Sequence, residues 1–228
     1  MNFLCHAMPY FDEPLVAIST GVPDWLSVID RKIRARGRSA MLHLNSPDDE
    51  LRQVAQGILH HVNDDRWFHS TAAFVETNMA LAVQLRDRLP GDEGFRPTFV
   101  GHILIEIFLD AFWLRDRAEI GRQYYALFDE QRARIVQRCV NVITGKPTDR
   151  LAETMLRFAD SRFLLDYLDP EKLLMRLNQV MKRVNLPLLP DTLLPWLTEA
   201  GEMIESRRRR FLTRADGTSH IDLPFHSP

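Results

Sequence analysis

The segment Phe99–Trp113 constrains the fold more than any other part of this 228-residue sequence. On a helix it is apolar on nearly every side, and its only ionisable side chains are those of His102, Glu106 and Asp110. A helix that is apolar all round is buried among other elements or spans a membrane. The chain contains no uncharged apolar run long enough to cross a bilayer, so no membrane span is expected. The segment therefore predicts a buried helix in the core of a helical protein.

The remaining chain also has helical periodicity. Glycine accounts for only 10 residues, and no alternating runs joined by Asn-Gly or Asp-Gly turns support β-hairpins. Prolines at 47, 97 and 170 fit the first turns of helices, where the missing N–H costs no hydrogen bond. We expect an all-α, single-domain bundle of about eight helices over 1–212, a turn at 90–94 and a mobile tail over 213–228. The helical stretches are about 22–35, 47–60, 65–89, 97–114, 119–144, 149–166, 170 onward and 192–212.

Charge and cysteine content exclude several classes of protein. A formal charge of −2, from 29 basic and 31 acidic residues, is not the strongly positive charge of a typical nucleic-acid-binding protein. Two cysteines, Cys5 and Cys139, cannot form a disulfide framework and lack the spacing of a zinc ribbon. The first residues lack the basic and apolar regions of an export signal. We expect a cytoplasmic protein with no nucleic acid among its partners.

The ionisable residues of the apolar helix require partners. His102, Glu106 and Asp110 are spaced i, i+4, i+8, so they share one helix face. Burying carboxylates without partners costs several kcal/mol or neutralises them. This face therefore needs a cation, a metal ion or an opening to water. A salt bridge to a single arginine or a water-lined groove is the simpler alternative.

A second stripe has the same spacing. His61, Asp65 and His69 share one face if residues 61–69 form one helix. Imidazole beside carboxylate is the ligand mix for manganese, iron or zinc, whereas magnesium and calcium prefer oxygen throughout. Two such stripes predict a metal site, although His61 or His69 could instead cap a helix or bond a backbone carbonyl. His60 points about 100° away from His61 on a helix, so a structural role is expected for it.

Two isolated residues, His6 and Asp24, have no spacing that reveals a role, and Asp24 fits an ordinary helix cap. Together with the two stripes, however, they resemble the acyl carrier protein phosphodiesterase family. These bacterial holo-acyl-carrier-protein hydrolases have an all-α fold related to HD-domain metallohydrolases. The matching blocks are Met1–His6 (the family's Asn-Phe-Leu-Ala-His), Asp24-Trp25 (Ala-Asp-Phe), Gly57-Ile58 with His61-x-x-x-Asp65 (Gly-Ile with His-Arg-x-Ile-Asp), and Glu106–Leu109 with Trp113 (Asp-His-Phe-Leu with a later Trp).

The sequence also departs from the family pattern. The substituted ligand positions keep ligand chemistry but change its reach and charge. An insertion covers about 31–46, and no adjacent His-Asp pair forms the strict HD signature. The other departures are Ser19-Thr20 for Gly-Asn, Leu59 for histidine, Phe68-His69 for Thr-Asp, Glu106 for aspartate, and His102 where another aspartate is expected.

The resemblance implies a reaction and a metal ion. The reaction is hydrolysis of the phosphodiester that joins 4′-phosphopantetheine to a serine of acyl carrier protein. The ion is expected to be Mn²⁺, with Fe²⁺ or Zn²⁺ as alternatives; it activates water and polarises the phosphoryl oxygen. Asp65, Asp24 and His69 are candidate catalytic groups, one of which protonates the leaving oxygen. The expected ligands are His61, Asp65 and Glu106, completed by His102, His69, Asp24 or His6.

The resemblance also implies a protein partner. Acyl carrier proteins are acidic, so a basic docking face is expected. Arg31, Arg34 and Arg36 form the first candidate. The second is the run 207–210, for which the alternative is a solvated helix end that interacts with the helix dipole.

Two rival functions stay open. The first is a phosphohydrolase of the same fold that acts on a nucleotide or lipid phosphoester. The second is a non-catalytic helical binding protein, in which the stripes are salt-bridged to arginines and no metal binds.

Overall fold

The computed structural model describes residues 1–89, 91, 94–214 and 216–221. In these residues the chain forms thirteen α-helices and no β-strand, so the all-α prediction is confirmed. Short 3₁₀ helices cover Met8–Tyr10, Phe163–Leu168 and Asp191–Leu193. The α-helices are α1 Phe3–Ala7, α2 Pro14–Ser19, α3 Val22–Ile29, α4 Gly37–Met41, α5 Asp49–Phe68, α6 Ala72–Arg88, α7 Pro97–Asp116, α8 Ala118–Ala126, α9 Glu130–Thr144, α10 Leu151–Ser161, α11 Pro170–Arg183, α12 Leu194–Ser206 and α13 Arg208–Phe211.

The chain divides into two compact units. Unit 1 consists of Met1–Asn2, Trp67–Arg117 and Phe163–Pro228, and unit 2 consists of Phe3–Arg66 and Ala118–Arg162. The expected single domain over 1–212 stays a prediction.

The apolar helix α7 lies in the core of unit 1. Leu104, Ile105, Leu109 and Trp113 are at most 1% exposed. The helix packs against α6 and α12, and its first turn contains Pro97. The predicted burial of this helix is confirmed.

The same helix is long and apolar enough to cross a bilayer, judged by length and composition. However, 67% of its most apolar window is buried inside the structure. Because core helices of soluble proteins meet the same criterion, the finding is weak evidence for a membrane span. The expected absence of a span stays a prediction.

Aromatic rings form part of the core of unit 2. The ring centroid of Phe3 lies 5.7 Å from that of Trp25 and 4.8 Å from that of Phe158. Trp25 and Phe158 meet edge to face at 5.4 Å, a favoured aromatic geometry. These contacts hold α1, α3 and α10 together and thereby position α1.

Several helix boundaries differ from the predicted ones. Among the described residues thirteen helices replace the expected eight, because two predicted stretches are each divided in two and the short helices α1, α2 and α4 were not predicted. The helix predicted over 22–35 ends at Ile29 because Asp30 has an extended backbone. The stretch 119–144 breaks before Asp129, whose side chain accepts a hydrogen bond from the Arg132 N–H and caps α9. Thr71 caps α6 in the same way through the Phe74 N–H. Helix α5 instead continues to Phe68, beyond its predicted end near His60.

The C-terminal segment is partly packed. Thr213 and Ser219 form an antiparallel bridge, and the His220 N–H donates to the Leu212 carbonyl at 2.8 Å. His220 and Ile221 are buried, 8% and 3% exposed. These contacts pack part of the tail against the fold, and its expected mobility stays a prediction. Residues 215 and 222–228 of the tail, and 90, 92 and 93 of the expected turn, lie outside the described residues.

Candidate metal centre

Two helices of unit 2 bring together two imidazoles and a carboxylate. His61 and Asp65 lie one turn apart on α5, with 3.4 Å between His61 Nε2 and Asp65 Oδ2. Helix α1 supplies His6, whose Nε2 lies 3.2 Å from Asp65 Oδ1. The two imidazole rings have centroids 4.3 Å apart. We call His6, His61 and Asp65 the buried triad.

A glycine permits the close packing of α5 in this region. A Cβ atom at Gly57 would lie 2.6 Å from the Cβ of Ser19 and would also overlap the Val16 carbonyl oxygen. Real Cβ atoms do not approach other atoms so closely. The backbone of α5 therefore packs directly on α2, the helix that follows α1 in the chain.

The spacing of the buried triad fits a transition-metal ion. A four-coordinate ion with bonds of roughly 2.0–2.1 Å holds its ligand atoms about 3.3 Å apart. The two imidazole-to-carboxylate separations are similar, 3.2 Å from His6 Nε2 to Asp65 Oδ1 and 3.4 Å from His61 Nε2 to the other oxygen, Oδ2. One ligand atom from each of the three residues lies within 4.8 Å of the others. Donor type and spacing both suit Mn²⁺, Fe²⁺ or Zn²⁺.

The hydrogen bonding of His6 supports the same interpretation. Among the described residues, neither of its ring nitrogens has a hydrogen-bond partner of acceptable geometry. The nearest carboxylate oxygens, on Asp64 and Asp65, are 3.6 and 3.2 Å away, close enough for electrostatic attraction but badly aligned. The side chain is fully buried, and a buried polar group without a partner costs about 1–3 kcal/mol. These nitrogens are thus available as ligands.

The charge state of the buried triad favours a cation. Burial alone would lower the pKa of His6, but the carboxylates of Asp64 and Asp65 raise that pKa from 6.5 to about 9. Burial alone would raise the pKa of Asp65, but the positive charge of the N-terminal amino group and the imidazoles of His6 and His61 hold that pKa well below its usual range. Asp65 is therefore ionised, and its negative charge helps to keep the neighbouring His6 imidazole protonated. A divalent ion would replace that proton.

A second group of two imidazoles and one carboxylate lies in unit 1. His102 and Glu106 are one turn apart on α7, and His69 directly follows α5. Glu106 Oε1 lies 2.7 Å from His69 Nε2 and 3.1 Å from His102 Nε2. The side chains are 28%, 36% and 17% exposed for His69, His102 and Glu106, so solvent reaches this group. We call it the half-buried triad.

Glu106 is surrounded by nitrogen donors. Burial alone would raise its pKa, but the amino group of Met1 at 3.1 Å and the imidazoles of His102 and His69 hold that pKa well below its usual range. Within the described residues, its ion-pair partners are this amine and these imidazoles. The alternative of a single arginine salt bridge therefore does not hold for Glu106. Its imidazole separations are shorter than the roughly 3.3 Å that an ion requires, so the group fits an ion less well than the buried triad.

The structure brings most of the predicted site residues into the two triads, but not all of them. Asp24 lies half-buried in the first turn of α3 and belongs to neither triad. Asp110, the last residue of the apolar-helix stripe, is fully buried and also lies outside both. The catalytic and ligand roles expected for Asp24 stay predictions. The expected metal shell that joins Glu106 to His61 and Asp65 also stays a prediction.

Two neighbours of the triads have different roles. His60 stacks on Tyr10, with ring centroids 4.2 Å apart, and its Nδ1 lies 2.8 Å from the Tyr10 hydroxyl. Asp64, only 2% exposed, was missed by the spacing argument because it points about 100° away from Asp65 on the helix. Its position beside His6 Nδ1 becomes visible only when α1 packs against α5. The one available signal was an adjacent pair of aspartates next to two adjacent histidines.

The expected docking arginines lie between α3 and α4. Arg31, Arg34 and Arg36 are exposed, whereas Ile33 and Ala35 are 6% and 8% exposed. This alternation is that of an extended segment with one buried face, not of the helix predicted there. Their docking role stays a prediction.

The other basic run has structural contacts. Arg208 is 7% exposed, lies 4.3 Å above the Trp113 ring and forms an ion pair with Asp116. The guanidinium of Arg207 donates to the Thr77 hydroxyl at 2.8 Å. These contacts favour a structural role for the run.

Comparisons of the chain with protein-family models, with curated proteins and with solved structures find no match. The resemblance to the acyl carrier protein phosphodiesterases therefore stays a prediction. What the site does follows from its donor atoms, their spacing and their burial.

Proposed function

We propose that the protein is a metal-dependent phosphoester hydrolase whose divalent ion is bound by His6, His61 and Asp65. The observation that carries the proposal is the fully buried His6 imidazole, whose nitrogens have no well-aligned hydrogen bond to any residue that the structure describes. It faces a second imidazole and a carboxylate at separations that suit an ion. Mn²⁺ is the first choice, with Fe²⁺ or Zn²⁺ as alternatives.

Each residue of the buried triad has a role that its contacts support. Asp65 supplies the negative charge, since its carboxyl group is ionised at neutral pH. His6 and His61 supply neutral nitrogen donors once the proton on His6 is displaced. When bound, the ion would lower the pKa of water and polarise a phosphoryl oxygen. Asp64 is a positioning residue, because its carboxylate beside Nδ1 orients the His6 ring.

A hydrolase of this kind also needs a proton donor for the leaving oxygen. His69 and Asp24 are the candidates from the sequence. His69 is a partly exposed imidazole of unit 1, and its Nε2 lies 2.7 Å from Glu106 Oε1. Asp24 is half-buried in unit 2, the unit that contains the buried triad.

The proposed substrate is the phosphodiester of holo-acyl carrier protein, and the proposed fold relationship is to the HD-domain metallohydrolases. Both rest on the resemblance of short sequence blocks. Arg31, Arg34 and Arg36 would meet the acidic carrier. A nucleotide or lipid phosphoester is the alternative substrate, for which the same metal chemistry suffices.

Metal content and hydrolysis test the proposal together. The full chain is purified without chelators, analysed for metals, stripped with EDTA and reloaded with Mn²⁺. It is then assayed against holo-acyl carrier protein, a nucleotide phosphodiester and a phospholipid. We expect bound transition metal, a melting temperature that falls with EDTA, and Mn²⁺-dependent hydrolysis of one of the three substrates.

Three results would each contradict part of the proposal. Metal-free protein whose melting temperature is unmoved by Mn²⁺ would favour the non-catalytic binding protein. Metal binding without hydrolysis of any substrate would retain the metal site and reject the hydrolase. Hydrolysis of the nucleotide or lipid alone would reject acyl carrier protein as the substrate.

A further inference from the structure

Residues 31–42, which we call the basic segment, combine positive charge with protruding apolar side chains. The segment carries Arg31, Lys32, Arg34, Arg36 and Arg38, and no acidic residue lies between Arg31 and Ser46. All five cationic residues are exposed. In a chain of net charge −2, this is a strong local concentration of positive charge.

The backbone directs these cations outward. Ile33 and Ala35 are buried, so in the extended stretch the alternate residues Arg34 and Arg36 face solvent. Neither arginine has an ion-pair partner among the residues that the structure describes. Their charge is thus available to an external anion.

Contacts within unit 2 hold the segment in place. The Lys146 ammonium group donates to the Lys32 carbonyl at 3.1 Å, and the Arg150 guanidinium donates to the Ile29 carbonyl at 3.2 Å. The first bond ties the segment to the α9–α10 connection, and the second ties Ile29, just before the segment, to the same connection. Lys146 and Arg150 thus add two further cations beside it. The surface is therefore preformed.

The end of the segment is apolar. Met41 is 59% exposed and Leu42 is 81% exposed, the second being the largest exposure among the large apolar side chains that the structure describes. Met41 is the last residue of α4, three residues after Arg38, and Leu42 follows it as the C-cap. Exposed large apolar side chains next to a basic patch mark an interaction site.

We propose that the basic segment binds the surface of anionic phospholipid bilayers, with its arginines on lipid phosphates and with Met41 and Leu42 in the interfacial region. Two interactions contribute to the binding of proteins to such surfaces. Cations are attracted to the anionic leaflet, and apolar side chains insert at the headgroup boundary. A protein partner would need a shaped pocket for the protruding leucine, whereas a bilayer deforms to receive it. The inference goes beyond the proposed metal-dependent hydrolysis and competes with one part of it, since it assigns Arg31, Arg34 and Arg36 to lipid in place of the acidic carrier.

Flotation with vesicles tests this inference on the full chain. Vesicles of phosphatidylcholine alone are compared with vesicles that also contain phosphatidylglycerol, at low and high salt. We expect binding to the anionic vesicles only, weakened by salt. Arg34→Gln with Arg36→Gln should weaken it about 30-fold, and Leu42→Ser should weaken it about 10-fold.

A matched control removes equal charge elsewhere in unit 2. Arg134 and Arg157 are 72% and 76% exposed and paired with Glu130 and Glu153. Arg134→Gln with Arg157→Gln should leave vesicle binding unchanged.

Several outcomes overturn the inference. These are no binding to anionic vesicles, equal loss in the control variant, or loss through the arginines with full binding by Leu42→Ser. Binding of an acidic carrier protein through these arginines, with vesicles inert, also overturns it. Vesicle binding does not require the ion, so EDTA-treated protein should bind equally, and this separates the inference from the proposed function.

Discussion

The Nδ1 atom of His6 lies 3.6 Å from Oδ2 of Asp64, while the Nε2 atom of the same ring lies 3.2 Å from Oδ1 of Asp65. The carboxylates of two consecutive residues of α5 thus lie next to the two nitrogens of a single imidazole. A histidine that ligates a metal commonly directs its other nitrogen to a carboxylate, which fixes the orientation of the ring. The relationship distinguishes Asp65, the proposed ligand, from Asp64, the proposed positioning residue.

Removing a triad ligand should abolish metal binding. We expect His6→Ala and Asp65→Ala to lose the bound ion and all Mn²⁺-dependent hydrolysis, because each removes a donor atom. The fall in affinity should exceed the roughly 10–100-fold typical of removing an outer-shell group. Elemental analysis and calorimetric titration measure it. His60→Ala, which lies outside both triads, should retain the ion, and equal losses in all three variants would reject the ligand assignment.

Asp64→Asn should have a smaller effect than loss of a ligand. The amide keeps the shape of the side chain but removes the charge that orients His6, so Mn²⁺ affinity should fall about 10–100-fold. Saturating Mn²⁺ should restore most of the activity, because the ligands are intact. Activity that stays lost with a full complement of ion would show that Asp64 takes part in the reaction itself.

The metal-free protein should lose stability as the pH rises above neutrality. The pKa of His6 is about 9 in the fold against 6.5 unfolded, so its protonation stabilises the folded state. That contribution is fully present below pH 6.5 and is lost as the pH rises through about 9. Urea unfolding of EDTA-treated protein across this range measures it. The His6→Gln variant should lack this decline, and an identical decline in both proteins would assign it to another group.

Gly57→Ala should destabilise the protein by about 1–3 kcal/mol through overpacking. The new methyl group would collide with Ser19 and with the Val16 carbonyl, which forces α2 and α5 apart. Urea unfolding measures the loss. Asn63→Ala is the control, since Asn63 is exposed on the same helix, and comparable losses in the two variants would show that the contact with α2 is unimportant.

Arg208→Ala should cost roughly 3 kcal/mol, as expected when one partner of a largely buried ion pair is removed. The change leaves Asp116 without this cation and uncovers the Trp113 ring. Arg209→Ala, at an exposed position of the same run, should change the free energy of unfolding by less than about 0.5 kcal/mol. If both variants changed the free energy of unfolding only slightly, the run 207–210 would be a solvated helix end without a structural role.

Features that depend on local sequence could be predicted. The apolar run of α7 predicts burial without knowledge of its neighbours, and the four-residue spacing places His61 with Asp65 and His102 with Glu106. The period of a single helix is sufficient for these pairs. Helix ends were less predictable, because caps such as Asp129 and Thr71 compete with continuing periodicity.

Features that depend on packing between distant segments could not be predicted. His6 joins His61 only because α1 and α2 pack on α5, and that approach requires a bare backbone at Gly57. The same packing places Asp64 beside His6, although helical spacing separates Asp64 from the stripe. The separation of the predicted ligands into two triads likewise follows from which helices pack together.

Unit 2 is built from two stretches of chain, Phe3–Arg66 and Ala118–Arg162, and all three residues of the buried triad belong to the first. At a synthesis rate of about 5–20 residues per second, Asp65, the last residue of the triad to be made, leaves the ribosome roughly 5–20 s before the end of unit 2 does. The ligand set of the proposed metal site is therefore complete before α8, α9 and α10 are. We expect these three side chains to be accessible to ions of the surrounding solution during that interval.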